Sequence, residues 1–491
     1  MSIHSLVSRR VLLRQTLGAT LVLPAVGVLA ACGAGGPGGA GAVSPTAAAS
    51  VAATSQAPAA SAVSSVATSA APTTTVATSA VSAATSSAQA AQPGKKTALS
   101  IATYAGAGDE WQRHAAQTWQ TQHPEVNLTV DSVAYADMPT KQLTLVASGT
   151  LEDVSFSGIK WFAFSASKGA FRAIDDYVKQ HDPGMSDFFQ TALTGSSFDG
   201  KLYALPYLLH PGNPALVAYN KDLLQRRGVK EPTDDWTVAD FVALGKATTD
   251  VGQNTFGTNY FPNTYYDFCS LARTWGGDVL SADGKQFTFN TNKPAEDAAQ
   301  WAVNLRTIEH IAPSRAEANG LTFLAGQYAA VESGSYNVLM LEKQVGSKFG
   351  VGWALFPKGP TGLRGYQGFV ENFSIFTGSK QPELAYSLVQ AETSQETGIW
   401  AVVNTQYQPS ARKSVWSAPE IQKLTPVFGR VLNWMSTVDG PFPMPYNLRY
   451  TDLEAAWEKT SPPMFYGDIS YGTGLQQVQD ACQAFVQMPR N

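Results

Sequence analysis

Between Arg14 and Lys95 the chain carries no charged residue, and Gly33–Gly94 is almost wholly Ala, Ser, Thr, Gly, Val and Pro. The run Ser44-Pro45-Thr46-Ala47-Ala48-Ala49 is typical. A stretch of this kind cannot bury enough apolar side chain to offset the entropy of ordering it, so it is expected to be disordered. It leaves a globular part that starts near Lys96 and runs to the end of the 491 residues. That part exceeds what one hydrophobic core usually organises, so two lobes are expected. Residues 32–96 then read as a tether holding the lobes clear of membrane and wall. Their Ser, Thr and Pro content also permits an O-glycosylated stalk.

Residues 1–31 read as an export signal. Ser8-Arg9-Arg10-Val11-Leu12-Leu13-Arg14 resembles a twin-arginine signal, and a short apolar run follows it. Leu29-Ala30-Ala31-Cys32 resembles a lipobox, with acylation of Cys32 and cleavage before it; the alternative is an ordinary signal peptide. The expected location is outside the cytoplasmic membrane, at the cell surface or in the periplasm, with lipid on Cys32 as the anchor. Removing Arg9, Arg10 and Arg14 from the 34 Lys+Arg leaves 31 against 38 Asp+Glu, a formal charge of −7. No basic stretch offers a nucleic-acid footprint. Beyond Cys32 only Cys269 and Cys482 remain, either as a disulfide or as two free buried thiols. The six histidines are scattered, so no metal site and no cofactor are expected.

The globular part alternates strand and helix patterns, which predicts an α/β fold. Ala98–Tyr104, Val126–Val133 and Val154–Ser157 read as strands, and Asp109–Gln122 and Pro139–Ser148 as helices, the latter with Leu143 and Val146 inward. Thr237-Val238-Ala239-Asp240 has the form of a capping box, and Asn292 with Pro294 opens another helix. Lys348–Leu355 and Val370–Phe376 are strand-like, and Pro382–Glu392 is helical.

Several segments, in order, carry a family resemblance. They are Val146-Ala147-Ser148-Gly149 before Glu152-Asp153-Val154, then Asp199-Gly200-Lys201 through Pro206-Tyr207, then Tyr219-Asn220-Lys221-Asp222. Asp235-Trp236-Thr237, Trp275-Gly276-Gly277-Asp278, Phe323–Ala330 with Gly334-Ser335-Tyr336, Lys358-Gly359-Pro360 and Gly378–Tyr386 complete the set. Together they resemble the extracellular solute-binding proteins of ABC sugar importers, over essentially all of residues 98–491. The resemblance implies a two-lobed periplasmic-binding-protein-like fold of type II, with ligand in the interlobe cleft and a hinge of crossover strands. Lobe 1 is expected over 97–211 and 372–420, and lobe 2 over 212–371 and 421–491. Crossings are expected near Leu209–Pro214, Gly368–Phe373 and Pro419–Phe428. It implies a monomer that binds a sugar or oligosaccharide and hands it to permease subunits, with a separate ATPase as motor. The chain itself has no Walker-type loop. The alternatives are a polyamine, phosphodiester or metal as solute. A secreted glycosidase is disfavoured, since no motif frames a carboxylate pair and no G-x-S-x-G elbow is present; the chain is read as a non-enzyme.

Sugar clefts combine aromatic plates with a few polar hydrogen-bonding groups. By resemblance, Tyr336 occupies a stacking position. Tyr265, within Asn263-Thr264-Tyr265-Tyr266, falls near another, in a register that a slip of one residue would change. Trp275 is a further candidate, with core packing as its alternative. In lobe 1, Tyr104, Asp109 and Glu110 flank the loop after the first strand, where ligands commonly bind. Lys160 and Trp161 follow the Asp153 strand, and Lys160 stands where relatives often carry an acidic group, so an acidic or phosphorylated sugar would be tolerated. Glu371 and Asn372 lie at the return crossing and reach either ligand or hinge backbone. Trp301, Trp400 and Trp434 read as core, and His210 as a hinge-surface residue.

Overall fold

In the computed structural model the described residues are 96–487, apart from 107–108, 263, 408–409, 438–441 and 443–446. The expectations for the export signal, Cys32 and residues 32–95 of the tether lie outside the described residues. Eleven strands are described: β1 Thr97–Ala105, β2 Val126–Ala134, β3 Val154–Gly158, β4 Ser197–Phe198, β5 Lys201–Leu202, β6 Ala204–Pro211, β7 Leu216–Asn220, β8 Phe256–Thr258, β9 Tyr328–Ser333, β10 Val351–Leu355 and β11 Gly368–Ile375.

The strands form two principal sheets, one per lobe, and β4 pairs only with β5. The first sheet has the order β2-β1-β3-β11-β6, with β1, β2 and β3 parallel and β11 antiparallel to both neighbours. The second has the order β10-β7-β9-β8, with β7 antiparallel to β9 and β10, and β8 parallel to β9. Strands β3, β6 and β7 are buried along their whole length, which explains their near-continuous apolar runs in place of alternation. Parallel neighbours need a crossover helix. Asp109–Gln122 is the one between β1 and β2, and it buries Trp111, Ala115, Ala116 and Trp119.

Helix ends follow local chemistry. The capping box of Thr237 and Asp240 is formed, and the Asn292 side chain accepts from the Ala295 N–H. Met138–Ser148 departs from its sequence reading: Leu143 and Val146 are half-buried, while Gln142 is 2% exposed. Its amide bonds the Ser155 hydroxyl and the Phe156 carbonyl and accepts from Ser165, so a polar residue is buried because every polar atom on it is satisfied. The strand expected from Lys348 begins only at Val351.

The chain leaves the first sheet after Pro211, enters the second at Leu216, and returns along β11. Behind these crossings lies an apolar cluster of Leu209, Leu216, Tyr366, Val370, Trp416, Phe428 and Trp434. Residues 419–428 hold the helix Pro419–Gln422, a non-helical turn over 423–425 and the start of the helix Pro426–Met435. Before them Arg412 and Ser414 bond Pro183 and Asp187; after them Arg430 bonds Asp234 and Trp353. The closing helices Tyr450–Thr460, Pro462–Tyr466 and Tyr471–Val486 pack into the lobe 2 core with Phe268, Phe289 and Ala302. Among the described residues no helix is long and apolar enough to cross a membrane.

Cys269 and Cys482 are free and fully buried in that core. Burial pushes both thiols up, Cys482 to about 12. Neither should react with a thiol-specific reagent in the native protein, and both should react at once in denaturant. Labelling of either without unfolding would contradict the packing.

Candidate functional site

The carboxyl ends of β1, β3 and β6 and the start of β11 meet at one edge of lobe 1, where Glu371 pairs in register with Gly158 and Leu208. In lobe 2 the end of β9 and the start of β7 face the same side, with Ser333 opposite Leu216. Ligands of open α/β sheets bind outside such strand ends. The cleft runs between them.

Its lobe 1 wall is aromatic. Tyr104 packs on Tyr135 at 5.6 Å and on Phe156 at 4.8 Å, and Tyr135 meets Trp161 edge-on at 5.3 Å. At the centre lies Glu371, 4% exposed, accepting from the Tyr207 hydroxyl at 2.6 Å. Glu371 pairs with Leu208 and Asn372 with Pro206, so Tyr207 of β6 is the extra residue of a β-bulge there, and bulges re-aim side chains in this way. Burial pushes the Glu371 carboxyl up to about 7, against the pull of Tyr207 and the Lys160 charge.

The lobe 2 wall carries Tyr266, whose hydroxyl donates to the Gln367 carbonyl, and Tyr336, whose hydroxyl donates to Asn213 Oδ1 at 3.3 Å. Three plates rest directly on glycines: a Cβ at Gly158 would fall 2.7 Å from the Trp161 ring, one at Gly212 2.6 Å from Tyr266, and one at Gly334 2.6 Å from Tyr336. Only glycine permits these contacts without displacing the ring. Beside them burial raises the carboxyl of Asp267 to about 7 and that of Glu332 to about 8. Glu332 Oε2, Tyr135 OH, Trp161 Nε1 and Ser335 Oγ are buried without a hydrogen-bond partner. Buried polar atoms are normally paired, and these four lie beside the aromatic plates of the two walls.

The sequence candidates separate on this map. Tyr104, Trp161, Tyr336 and Glu371 come together at the cleft. Tyr265 does not: it is fully buried against Tyr450 and Trp457, and its neighbour Tyr266 faces the crossing. Successive helix residues point about 100° apart, so a slip of one exchanges the cleft residue for the core residue. Trp275 packs on Trp301 at 5.1 Å in the lobe 2 core. Asp109 is occupied by Ser132 at 2.6 Å and Arg113 at 2.8 Å, and Glu110 lines a shallow surface groove with His114 and Trp400. Trp400 itself is half-buried and stacks on His114 at 3.6 Å instead of entering the core. Asn372 is fully buried and bonds Ser196 at 2.6 Å, a support for the bulge. Lys160 is not a free cation: its ammonium binds both oxygens of Glu454, each at 2.8 Å. His210 is buried, not at the surface, between Phe369 and Tyr336, and burial lowers its pKa to about 3. Tyr135, Asn213, Asp267 and Glu454 escaped the sequence reading, which had Tyr266 only as the neighbour of Tyr265. The glycines preceding Tyr266 and Tyr336 in space lie within segments it had singled out, but only Gly334 is near its partner in sequence.

Two α/β lobes joined by crossover strands, with a polar and aromatic cleft between them, define a two-lobed binding protein. The chain belongs to the family of bacterial extracellular solute-binding proteins, whose model matches residues 102–398. A binding protein of Brucella abortus (strain 2308) is 25% identical over 303 residues, covering 59% of this chain and 70% of the relative. Among solved structures, the substrate-binding protein Lmo0181 of Listeria monocytogenes, in complex with cycloalternan, superposes with a TM-score of 0.68 at 22% identity, covering 79% of this chain and 98% of that one. The GacH receptor of Streptomyces glaucescens, solved unliganded and with acarbose, gives 0.66 at 19% identity, covering 80% and 99%. The sugar-binding protein MalE of Xanthomonas citri gives 0.68 at 19%, covering 79% and 97%.

Proposed function

We propose that this protein is the substrate-binding subunit of an ABC importer, capturing a sugar or oligosaccharide outside the membrane by closing its lobes and delivering it to the permease unchanged. The observation that carries this reading is the set of unpartnered polar atoms among aromatic plates from both lobes. A sugar presents weakly apolar faces to such plates and hydroxyls to such atoms. A ligand touching both walls binds the closed state better than the open one and so shifts the equilibrium towards closure. The sugars held by the structurally similar receptors support the same class. The proposed contacts are Tyr104, Tyr135, Trp161, Tyr266, Asp267, Glu332, Tyr336 and Glu371.

The division into lobes at 97–211 with 372–420, and 212–371 with 421–491, belongs to this proposal. So do the export signal, the lipid on Cys32, the outer face of the membrane as location, and a monomeric state. A second reading keeps the fold and changes the cargo. Because Lys160 is neutralised by Glu454 while Asp267, Glu332 and Glu371 line the cleft, an amine-bearing solute fits better than an acidic or phosphorylated one.

A thermal-shift screen of the mature protein against mono-, di- and oligosaccharides, polyamines and sugar phosphates tests both. A ligand at 100 times its Kd stabilises by about 2.7 kcal/mol. A shift from one sugar class, with the sugar recovered intact, supports the proposal; consumption of the sugar, or shifts from polyamines alone, overturns it. For that sugar, Tyr336→Ala should remove a plate worth roughly 1.5–3 kcal/mol. By calorimetry its affinity should then fall about 10–100-fold.

A further inference from the structure

Lys160 opens the helix Ile159–Ser167 after β3 in lobe 1, and Glu454 lies on the helix Tyr450–Thr460 of lobe 2. Their bidentate pair is 294 residues long in sequence and spans the cleft. Both ends are largely withdrawn from water, with 22% of the Lys160 side chain and 13% of the Glu454 side chain exposed. The two helices also pack against each other. We propose that Lys160–Glu454 is an interlobe latch that holds the cleft partly closed before any ligand arrives, so that Lys160 positions the lobes instead of touching solute.

The surroundings explain why opening should follow its loss. The Lys160 charge also bears on Glu371 of the return crossing and on Asp267 of the helix Tyr265–Thr274, while Glu454 bears on Asp267 and Glu458. Without the ammonium, Glu454 would face these carboxylates in a poorly hydrated gap, an arrangement that parting the lobes relieves. Removing Glu454 instead strands the ammonium in the same gap. A receptor whose binding-competent state is less populated binds more weakly by that same fraction.

The proposal's affinity arm rests on the sugar-binding reading; its distance arm does not. Spin labels at Gln122→Cys and Lys230→Cys, both exposed positions on opposite lobes, report lobe separation in the full chain without ligand. The latch predicts a short, narrow distance distribution for the parent, a longer or broader one for Lys160→Met and for Glu454→Gln, and return of the short distance in the Lys160→Glu/Glu454→Lys exchange. Distances unchanged in both single variants would overturn it. With the sugar found by the screen, affinity should fall roughly 5–20-fold in the single variants that open, following their open fraction. Affinity lost without any change in distance would also overturn the latch and make Lys160 a ligand contact. If no sugar binds at all, the proposed function fails while the distances still decide the latch.

Discussion

Trp457→Ala should destabilise the protein by about 3–5 kcal/mol, the usual cost of emptying a large aromatic site. Trp457 is fully buried, stacks on Phe268 at 4.5 Å, and also meets Phe289 at 5.5 Å and Phe465 at 6.0 Å. The rings around it come from three different chain segments, so none can close over the cavity without moving the others. Unfolding entropy of about 2.1 cal/mol/K per residue makes each kcal/mol worth roughly 1 °C in a chain of this size, so Tm should drop by roughly 3–5 °C. Trp457 lies one turn after Glu454 on the same helix, so the variant should loosen the interlobe pair as well. A Tm within 1 °C of the parent would mean that the closing helices do not belong to the lobe 2 core.

Glu371→Gln should stabilise the protein at alkaline pH and leave it almost unchanged near pH 4.5. The carboxyl is raised from its ordinary 4.5 to about 7, chiefly by burial. The folded state therefore holds this proton more tightly than the unfolded chain. The stability it contributes is complete below pH 4.5 and is lost as pH rises through 7. At 1.36 kcal/mol per pH unit the loss is about 3 kcal/mol above pH 8. Glutamine carries no charge to desolvate, and its carbonyl can still accept from Tyr207. Melting curves of the two proteins between pH 4.5 and 9 should diverge steadily up to about pH 8. Parallel curves would show that Glu371 is not desolvated in the folded protein. Asp267 and Glu332 act in the same direction, whereas His210, lowered to about 3, costs stability as pH falls below 6.5. The difference between variant and parent isolates Glu371 from these.

Much of the local structure was legible beforehand because its cause is local. The helix Pro382–Glu392 begins at a proline that suits a first turn, and the observed bounds are the expected ones. Asp153, part of a recurrent segment, turns out to accept from Ser100 and Ser379, tying β1 and β3 to the turn after β11. Asn220 of Tyr-Asn-Lys-Asp caps the helix it precedes, and Asp222 accepts from the Gly350 N–H. These motifs resemble a family because they build its scaffold, which is why they disclosed the fold better than the site.

By itself, then, the amino-acid sequence determined the alternating α/β elements and the two-lobed family fold, and it singled out Tyr104, Trp161, Tyr336 and Glu371 as candidates for the cleft. Only the tertiary structure decided that Tyr266 and not Tyr265 faces the crossing, that Trp275 is core, that His210 is buried, and that Lys160 answers to Glu454. The physical reason is range. Periodicity, caps and turns record which face of an element is covered, through interactions a few residues apart. What covers that face, and which charge meets which, depends on segments hundreds of residues distant, brought together only when the lobes fold.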